Sequence, residues 1–175
     1  SPTHPENVIF FRNNRVAHNI AGMDFYGENG GHVLRGNRFE NPDQKAAEIY
    51  DCEGVSDAPY LLDATKRNLV EGNVFALTLG SDADHRYTGI QYAGQDGIVR
   101  FNVFHDCAGG GLNFQVYPDE ALYNYGHRAY RNTFFANACH GLAASNAVSD
   151  DFHDNLVLGN LLYANTGCAG EAEQL

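Results

Sequence analysis

Six asparagines along this chain are each followed two positions later by a bulky apolar residue, and the six segments align with one another. They read Asn14-Arg-Val-Ala, Asn37-Arg-Phe-Glu, Asn73-Val-Phe-Ala, Asn102-Val-Phe-His, Asn132-Thr-Phe-Phe and Asn160-Leu-Leu-Tyr, at intervals of 23, 36, 29, 30 and 28 residues. Self-similarity at a period of about 20 to 50 residues is the signature of a solenoid, whose repeats bury their apolar sides only against their neighbours.

Each repeat divides into three short strands. Segments such as Leu69-Val-Glu-Gly, Ile98-Val-Arg-Phe and Leu156-Val-Leu-Gly precede the asparagine. The strand after it carries Val16, Phe39, Phe75, Phe104, Phe134 or Leu162 at the inward position. A third strand follows a turn, as in Met23-Asp-Phe-Tyr, Ala47-Glu-Ile-Tyr, Ile90-Gln-Tyr-Ala, Leu112-Asn-Phe-Gln and Leu142-Ala-Ala-Ser. Apolar and polar residues mostly alternate there, as in half-buried strands. Pieces this short, broken by Gly and Asn, leave no room for ordinary helices, so an all-β stack of parallel strands is expected. Asparagine suits the corners because it tolerates left-handed backbone angles and its amide bonds nearby backbone. In register about 4.8 Å apart, identical amides also bond one another along the axis.

With its asparagine ladder and aromatic stack, the chain resembles the right-handed parallel β-helix repeat shared by pectate-lyase-like proteins, from about Val8 to Thr166. The resemblance implies a single-stranded right-handed β-helix of about six coils. It is loosely tied to chemistry, because the superfamily includes lyases, hydrolases, epimerases and non-enzymatic proteins. No catalytic motif of a member family is present, so no catalytic residue is carried over. An extracellular or periplasmic location is implied by the resemblance alone.

The 175 residues form one domain, long enough for a core if the coils stack. A net charge of −11 argues against nucleic acid and against anionic membrane surfaces. No apolar run is long enough to span a bilayer. No signal peptide is visible, although the opening Ser-Pro-Thr-His-Pro is compatible with removal of one. None of Cys52, Cys107, Cys139 and Cys168 forms a Cys-x-x-Cys pair, which argues against a zinc ribbon or redox motif. Cys139 and Cys168 fall at nearly equivalent places in consecutive coils, either as a disulfide or as two stacked buried thiols. The first coil starts abruptly at Val8-Ile-Phe-Phe and the last stops soon after Tyr163, without an obvious cap. Open solenoid ends expose strand edges. Either the chain is a segment of a longer protein or its ends associate with other copies.

The resemblance places a substrate groove along the outside of the third strand. Alternation puts Asp24, Glu48, Gln91, Asn113 and Ala143 outward in one axial row and Tyr26, Tyr50, Ala93, Gln115 and Ser145 in the next. Carboxylates, amides and tyrosines bond sugar hydroxyls and offer apolar ring faces. Tyr26, Tyr50, Gln91, Asn113 and Gln115 are therefore the candidate glycan contacts. Asp24 and Glu48, in adjacent coils, have three readings. Calcium bridges them, with Asp51 or carbonyls completing an oxygen shell; they act as a glycosidase acid and nucleophile; or they are solvated acids on a strand face.

The turn Ser81-Asp-Ala-Asp-His-Arg-Tyr is the second candidate. His85 would serve as a base, Arg86 would hold a substrate carboxylate and Tyr87 would donate a proton, the set that proton removal beside a uronate requires. The alternative is a polar loop whose acids pair with Arg86. The acidic insertion Asp51–Lys66 would wall the same face. On the first strand, Arg12, Arg35, Glu71 and Arg100 form a row better suited to ion pairing between coils than to anion binding. His105, His127, His140 and His153 lack metal-ligand spacing, and Gly109-Gly-Gly precedes a strand, so no phosphate loop is indicated.

Two functions follow. One is an enzyme acting on a uronate-containing polysaccharide, as a lyase or epimerase, with calcium offsetting the acidic surface. The other is a non-catalytic glycan-binding or structural module that self-associates through its ends. On either, Phe104→Ala removes one ring from the stack and is expected to cost about 3–5 kcal/mol in urea unfolding.

Overall fold

The computed structural model describes residues 9–18, 23–26, 31–51, 67–78, 88–115, 124–145 and 152–166, with the backbone alone at 23–26, 50–51, 145 and 152. Among these residues there are strands and no helix, and every strand pairing is parallel. The chain is a parallel β-solenoid in which strands pair with their counterparts in neighbouring repeats.

The local rule behind the fold is a five-residue step: three residues of strand, then two of turn. Ile98–Arg100 is followed by Phe101 and Asn102, then by Val103–His105, then by Asp106 and Cys107. The first turn residue takes a positive φ, as at Phe101 (56°), Asp106 (54°), Arg131 (55°) and Ala136 (53°). Glycine fills the position at Gly36 and Gly72, where φ is 65°. Even these strained residues stay in the ladder: Gly72 N–H donates to the Arg100 carbonyl (3.2 Å) and Arg131 N–H to the Leu158 carbonyl (3.1 Å).

The second turn residue points inward and is polar. Asn102 Oδ1 accepts the N–H (2.9 Å) and Nδ2 (3.0 Å) of Asn73. Its own Nδ2 donates to the Val70 carbonyl and to Asn132 Oδ1, both at 3.0 Å. The same pattern runs from Asn14 through Asn37, Asn73, Asn102 and Asn132 to Asn160. The expected asparagine ladder is present.

Register follows from it. Phe39, Phe75, Phe104 and Phe134 are directly opposed in the second sheet, with ring centroids 5.0, 4.9 and 4.8 Å apart and near-parallel planes. Their neighbours are Leu34, Val70, Val99 and Ala129 from the first sheet and Ile49, Ile90, Leu112 and Leu142 from the third, all buried. Gly111 lies where a Cβ would stand 2.6 Å from Phe134 Cδ1, so part of the Gly109-Gly-Gly run exists to let the phenylalanine stack close.

The first and second sheets have six strands each. In the third, Thr88–Gln95 is one continuous strand. Its first part pairs with Gly110–Gln115, while Gly94 and Gln95 pair with Asn124 and Tyr125, so the sheet gains two short strands at that corner.

Two further polar columns flank the asparagine ladder, five residues to either side. On one side, Asn137 Oδ1 accepts Cys107 N–H (3.1 Å) and Asn165 Oδ1 accepts Asn137 N–H (3.2 Å). On the other, His32 Nδ1 accepts Ile9 N–H (3.1 Å), Asn155 Oδ1 accepts His127 N–H (2.9 Å) and His127 Nδ1 accepts Gly97 N–H (3.0 Å). His127 also reaches the Gly94 carbonyl through Nε2 (2.9 Å). One nitrogen accepts and the other donates, which is the neutral imidazole. Burial pushes its pKa down from 6.5 to about 3, against the opposing pull of the Gly94 and Gly97 contacts.

A depressed histidine pKa means that only the unfolded chain takes up the proton at mild acid. The contribution is whole above pH 6.5 and is lost as pH falls toward about 3. Urea unfolding is expected to show stability declining by up to roughly 1.4 kcal/mol per pH unit below 6.5 from this group. His127→Asn keeps an acceptor of the kind found at Asn68 and Asn155 and should remove that part of the acid sensitivity.

Candidate functional site

In the third sheet the backbone places the predicted rows in register. Asp24 opposes Glu48, Glu48 opposes Gln91, Gln91 opposes Asn113, and Asn113 opposes Ala143. In the next row Tyr26 opposes Tyr50, Tyr50 opposes Ala93, and Gln115 opposes Ser145. The pleat alternates as the sequence requires, with Ala47, Ile49, Ile90, Tyr92, Leu112 and Phe114 on the core side.

What differs from expectation is exposure. The row reads as a solvent-facing strip, yet Glu48 is 4 % exposed, Gln91 3 %, Asn113 0 % and Gln115 3 %. These side chains face away from the core and are still removed from water. Lys45 Nζ makes a salt bridge with Glu48 Oε1 and also donates to Gln91 Oε1 (3.2 Å). Asn113 Nδ2 donates to Gln115 Oε1 (3.0 Å), and Asn124 Nδ2 ties the Gln115 carbonyl (3.1 Å) to that of Tyr92 (2.8 Å). The array is a buried carboxylate and a run of buried amides, with the ammonium of the partly buried Lys45 against them.

Glu48 is thus not a solvated acid: the ammonium of Lys45, three residues before it, lies against its carboxylate. Lys45 stands out in the sequence only as one of two lysines. Its role follows from the chain turning into the third strand just before Ala46 and Ala47, which are themselves fully buried. Of the other candidates, the side chains of Asp24, Tyr26, Tyr50 and Asp51 lie outside the described residues. So do His85, Arg86 and Tyr87, which end immediately before the buried Thr88, and so does most of Asp51–Lys66. Among the described residues no group of three His, Cys, Asp or Glu is placed to hold a metal ion.

The remaining candidates are structural. Glu71 bridges Arg35 (2.9 Å) and Arg100 across three coils, as the sequence leads one to expect. Arg100 also donates to the Tyr130 hydroxyl (2.8 Å). His105 stacks on Phe135 (5.0 Å between centroids) and meets Asp106 at 2.6 Å. His153 stacks on Tyr125 (4.8 Å) and meets Asp154 at 2.9 Å. Cys139 is buried and disulfide-bonded, which decides for it between bonded and stacked thiols; Cys52 and Cys168 lie outside the described residues. Cys107 is a buried free thiol, its pKa pushed up by burial to about 12. It is an inert core residue.

No family model, curated protein or solved structure matches this chain.

The buried ion pair is directly testable. Lys45→Met leaves the Glu48 carboxylate without its ammonium and is expected to cost about 3–5 kcal/mol in urea unfolding. Adding Glu48→Gln to that variant removes the buried negative charge and should recover part of the loss.

Proposed function

We propose that this chain is a right-handed, six-coil β-helix of the pectate-lyase-like kind that works outside the cytoplasm on a uronate-containing polysaccharide. The observation that supports the reading is the polar array on the outside of the third sheet. Burying a carboxylate and several amides, with an ammonium partly buried against them, is costly compared with an apolar surface of the same shape. Departures of this kind from simple packing rules concentrate at functional sites. Sugar hydroxyls and carboxylates are bonded by these same groups.

In this reading Tyr26, Tyr50, Gln91, Asn113 and Gln115 form the glycan-facing rows, and a sugar reaches Gln91, Asn113 and Gln115 only where the protein opens over them, because all three are withdrawn from water. His85 is the base, Arg86 neutralises the uronate carboxylate and Tyr87 returns the proton to the leaving oxygen. Calcium at Asp24, Glu48 and Asp51 is the cation proposed; because Lys45 already meets Glu48, a metal there has to displace the ammonium.

The test is incubation with a panel of uronate polymers, with and without calcium, following the ultraviolet absorbance of unsaturated sugar ends. A rise is expected on one polymer, reduced by about 10²- to 10⁴-fold in His85→Ala with the circular dichroism unchanged. No rise on any polymer, together with no retention on the immobilised polymers, overturns the proposal.

A second reading, a non-catalytic module that associates through its ends, is favoured by a separate observation. Among the described residues, the strands Leu156–Leu158 and Leu161–Tyr163 are exposed along their whole length.

A further inference from the structure

We propose that the corner between the first and second sheets, at Phe101, Tyr130 and Arg131, is a second contact site for a uronate-containing polysaccharide, where a sugar stacks on the exposed ring and its carboxylate meets Arg131. The inference rests on the uronate reading above for its ligand and adds a place of contact away from the third sheet.

Both coils concerned have a neighbour on either side. Ile98–Arg100 pairs with Leu69–Glu71 and with Arg128–Tyr130, and Arg128–Tyr130 pairs in turn with Leu156–Leu158. Register therefore sets the first turn residues Gly72, Phe101, Arg131 and Gly159 in one column, with φ of 65°, 56°, 55° and 61°. The turn asks only for that angle, and glycine supplies it without steric cost. A phenylalanine is disfavoured there. It gains little burial in return, because Phe101 is 46 % exposed. Neither the turn nor the core accounts for this ring, and backbone held in a sparsely populated region is a reason to look for function.

The surroundings of the ring fit a ligand. Tyr130 meets Phe101 edge to face, with centroids 6.2 Å apart and planes at 75°. The Arg100 guanidinium lies 5.7 Å from the Phe101 centroid and 5.9 Å from that of Tyr130, donates to the Tyr130 hydroxyl (2.8 Å) and is held by Glu71. Both rings are thus positioned in advance, which lowers the ordering cost of binding. The Arg131 guanidinium stands 5.8 Å from the Phe101 centroid, is exposed, and makes no salt bridge among the described residues. At Gly72 a Cβ would meet nothing within 4 Å, and at Gly159 only the Arg131 side chain at 4.0 Å. The shelf therefore lies between two open corners, three coil steps or about 14 Å apart.

Charge selects the ligand. The chain carries a net charge of −11, yet the outward residues of the first sheet include Arg12, Arg35, Arg100 and Arg128, with Glu71 the one acid among them. An anion is favoured on this flank of an otherwise acidic molecule. A pyranose offers C–H groups that suit the electron-rich face of an aromatic ring, and guanidinium pairs a carboxylate through two parallel bonds. A uronate carries both features on one ring. A nucleic acid needs a wider basic footprint than this chain has.

Affinity electrophoresis of the whole chain tests this, in gels cast with polygalacturonate, alginate, fully methyl-esterified polygalacturonate or polyglutamate. Expected is retention by a uronate polymer, weakened about 3- to 10-fold by Phe101→Asn and about tenfold or more by Arg131→Asn, with no retention by the esterified polymer or by polyglutamate. Asparagine keeps the left-handed corner, as Asn13 does in the first coil, and an unchanged circular dichroism spectrum verifies the fold of each variant. Retention that both variants leave intact overturns this site and leaves the uronate reading standing. Equal retention by polyglutamate overturns the sugar and leaves a site for polyanions at large. No retention by either uronate polymer overturns the proposal, whether or not unsaturated sugar ends appear in the absorbance assay.

Discussion

A buried amide that bonds its own equivalent one coil away is the interaction on which this molecule depends. Where a chain turns sharply inside a protein, backbone N–H and C=O groups leave the strand ladders and need other partners. The ladder asparagine accepts one such N–H, donates to one such carbonyl and uses its remaining capacity to hold the next asparagine. Corners that would otherwise be the weakest part of each coil become its most fully bonded part. The histidine and asparagine columns five residues away repeat the device at the neighbouring corners.

Once the corners are in register, everything between them is too. The phenylalanines two residues past Asn37, Asn73, Asn102 and Asn132 meet face to face, and Gly111 stands where a Cβ would strike a ring. The strained first turn residue is tolerated for the same reason. Its φ is unfavourable for most L residues, but its N–H is bonded to the adjacent coil.

Register also brings polar residues together on the outside, with different results on different sheets. On the first sheet Arg35, Glu71 and Arg100 form a chain of ion pairs with exposure enough to be screened by water. On the third sheet Glu48, Gln91, Asn113 and Gln115 are withdrawn from it, with Lys45 partly buried beside them. The first arrangement is an ordinary solenoid flank. The second concentrates hydrogen-bonding capacity in a low-dielectric place, where each group is worth more and a missing partner costs more.

The asparagine spacing and the aromatic two residues on determined the parallel stacking, the ladder and the identity of the core rings, because these depend on a period visible in one dimension. The pairing of Asp24 with Glu48 and of Glu48 with Gln91 was legible for the same reason. The five-residue step was also there to be read, in His32, Asn68, His127 and Asn155 on one side and Asn137 and Asn165 on the other. It was obscured because histidine and asparagine alternate in a role that asks only for an acceptor. Alternation told which way Glu48 and Asn113 point. That they are buried despite pointing outward, and that the Lys45 ammonium meets Glu48, was decided only in three dimensions. Burial of an outward face depends on what else lies over it, and no periodicity within a strand carries that information.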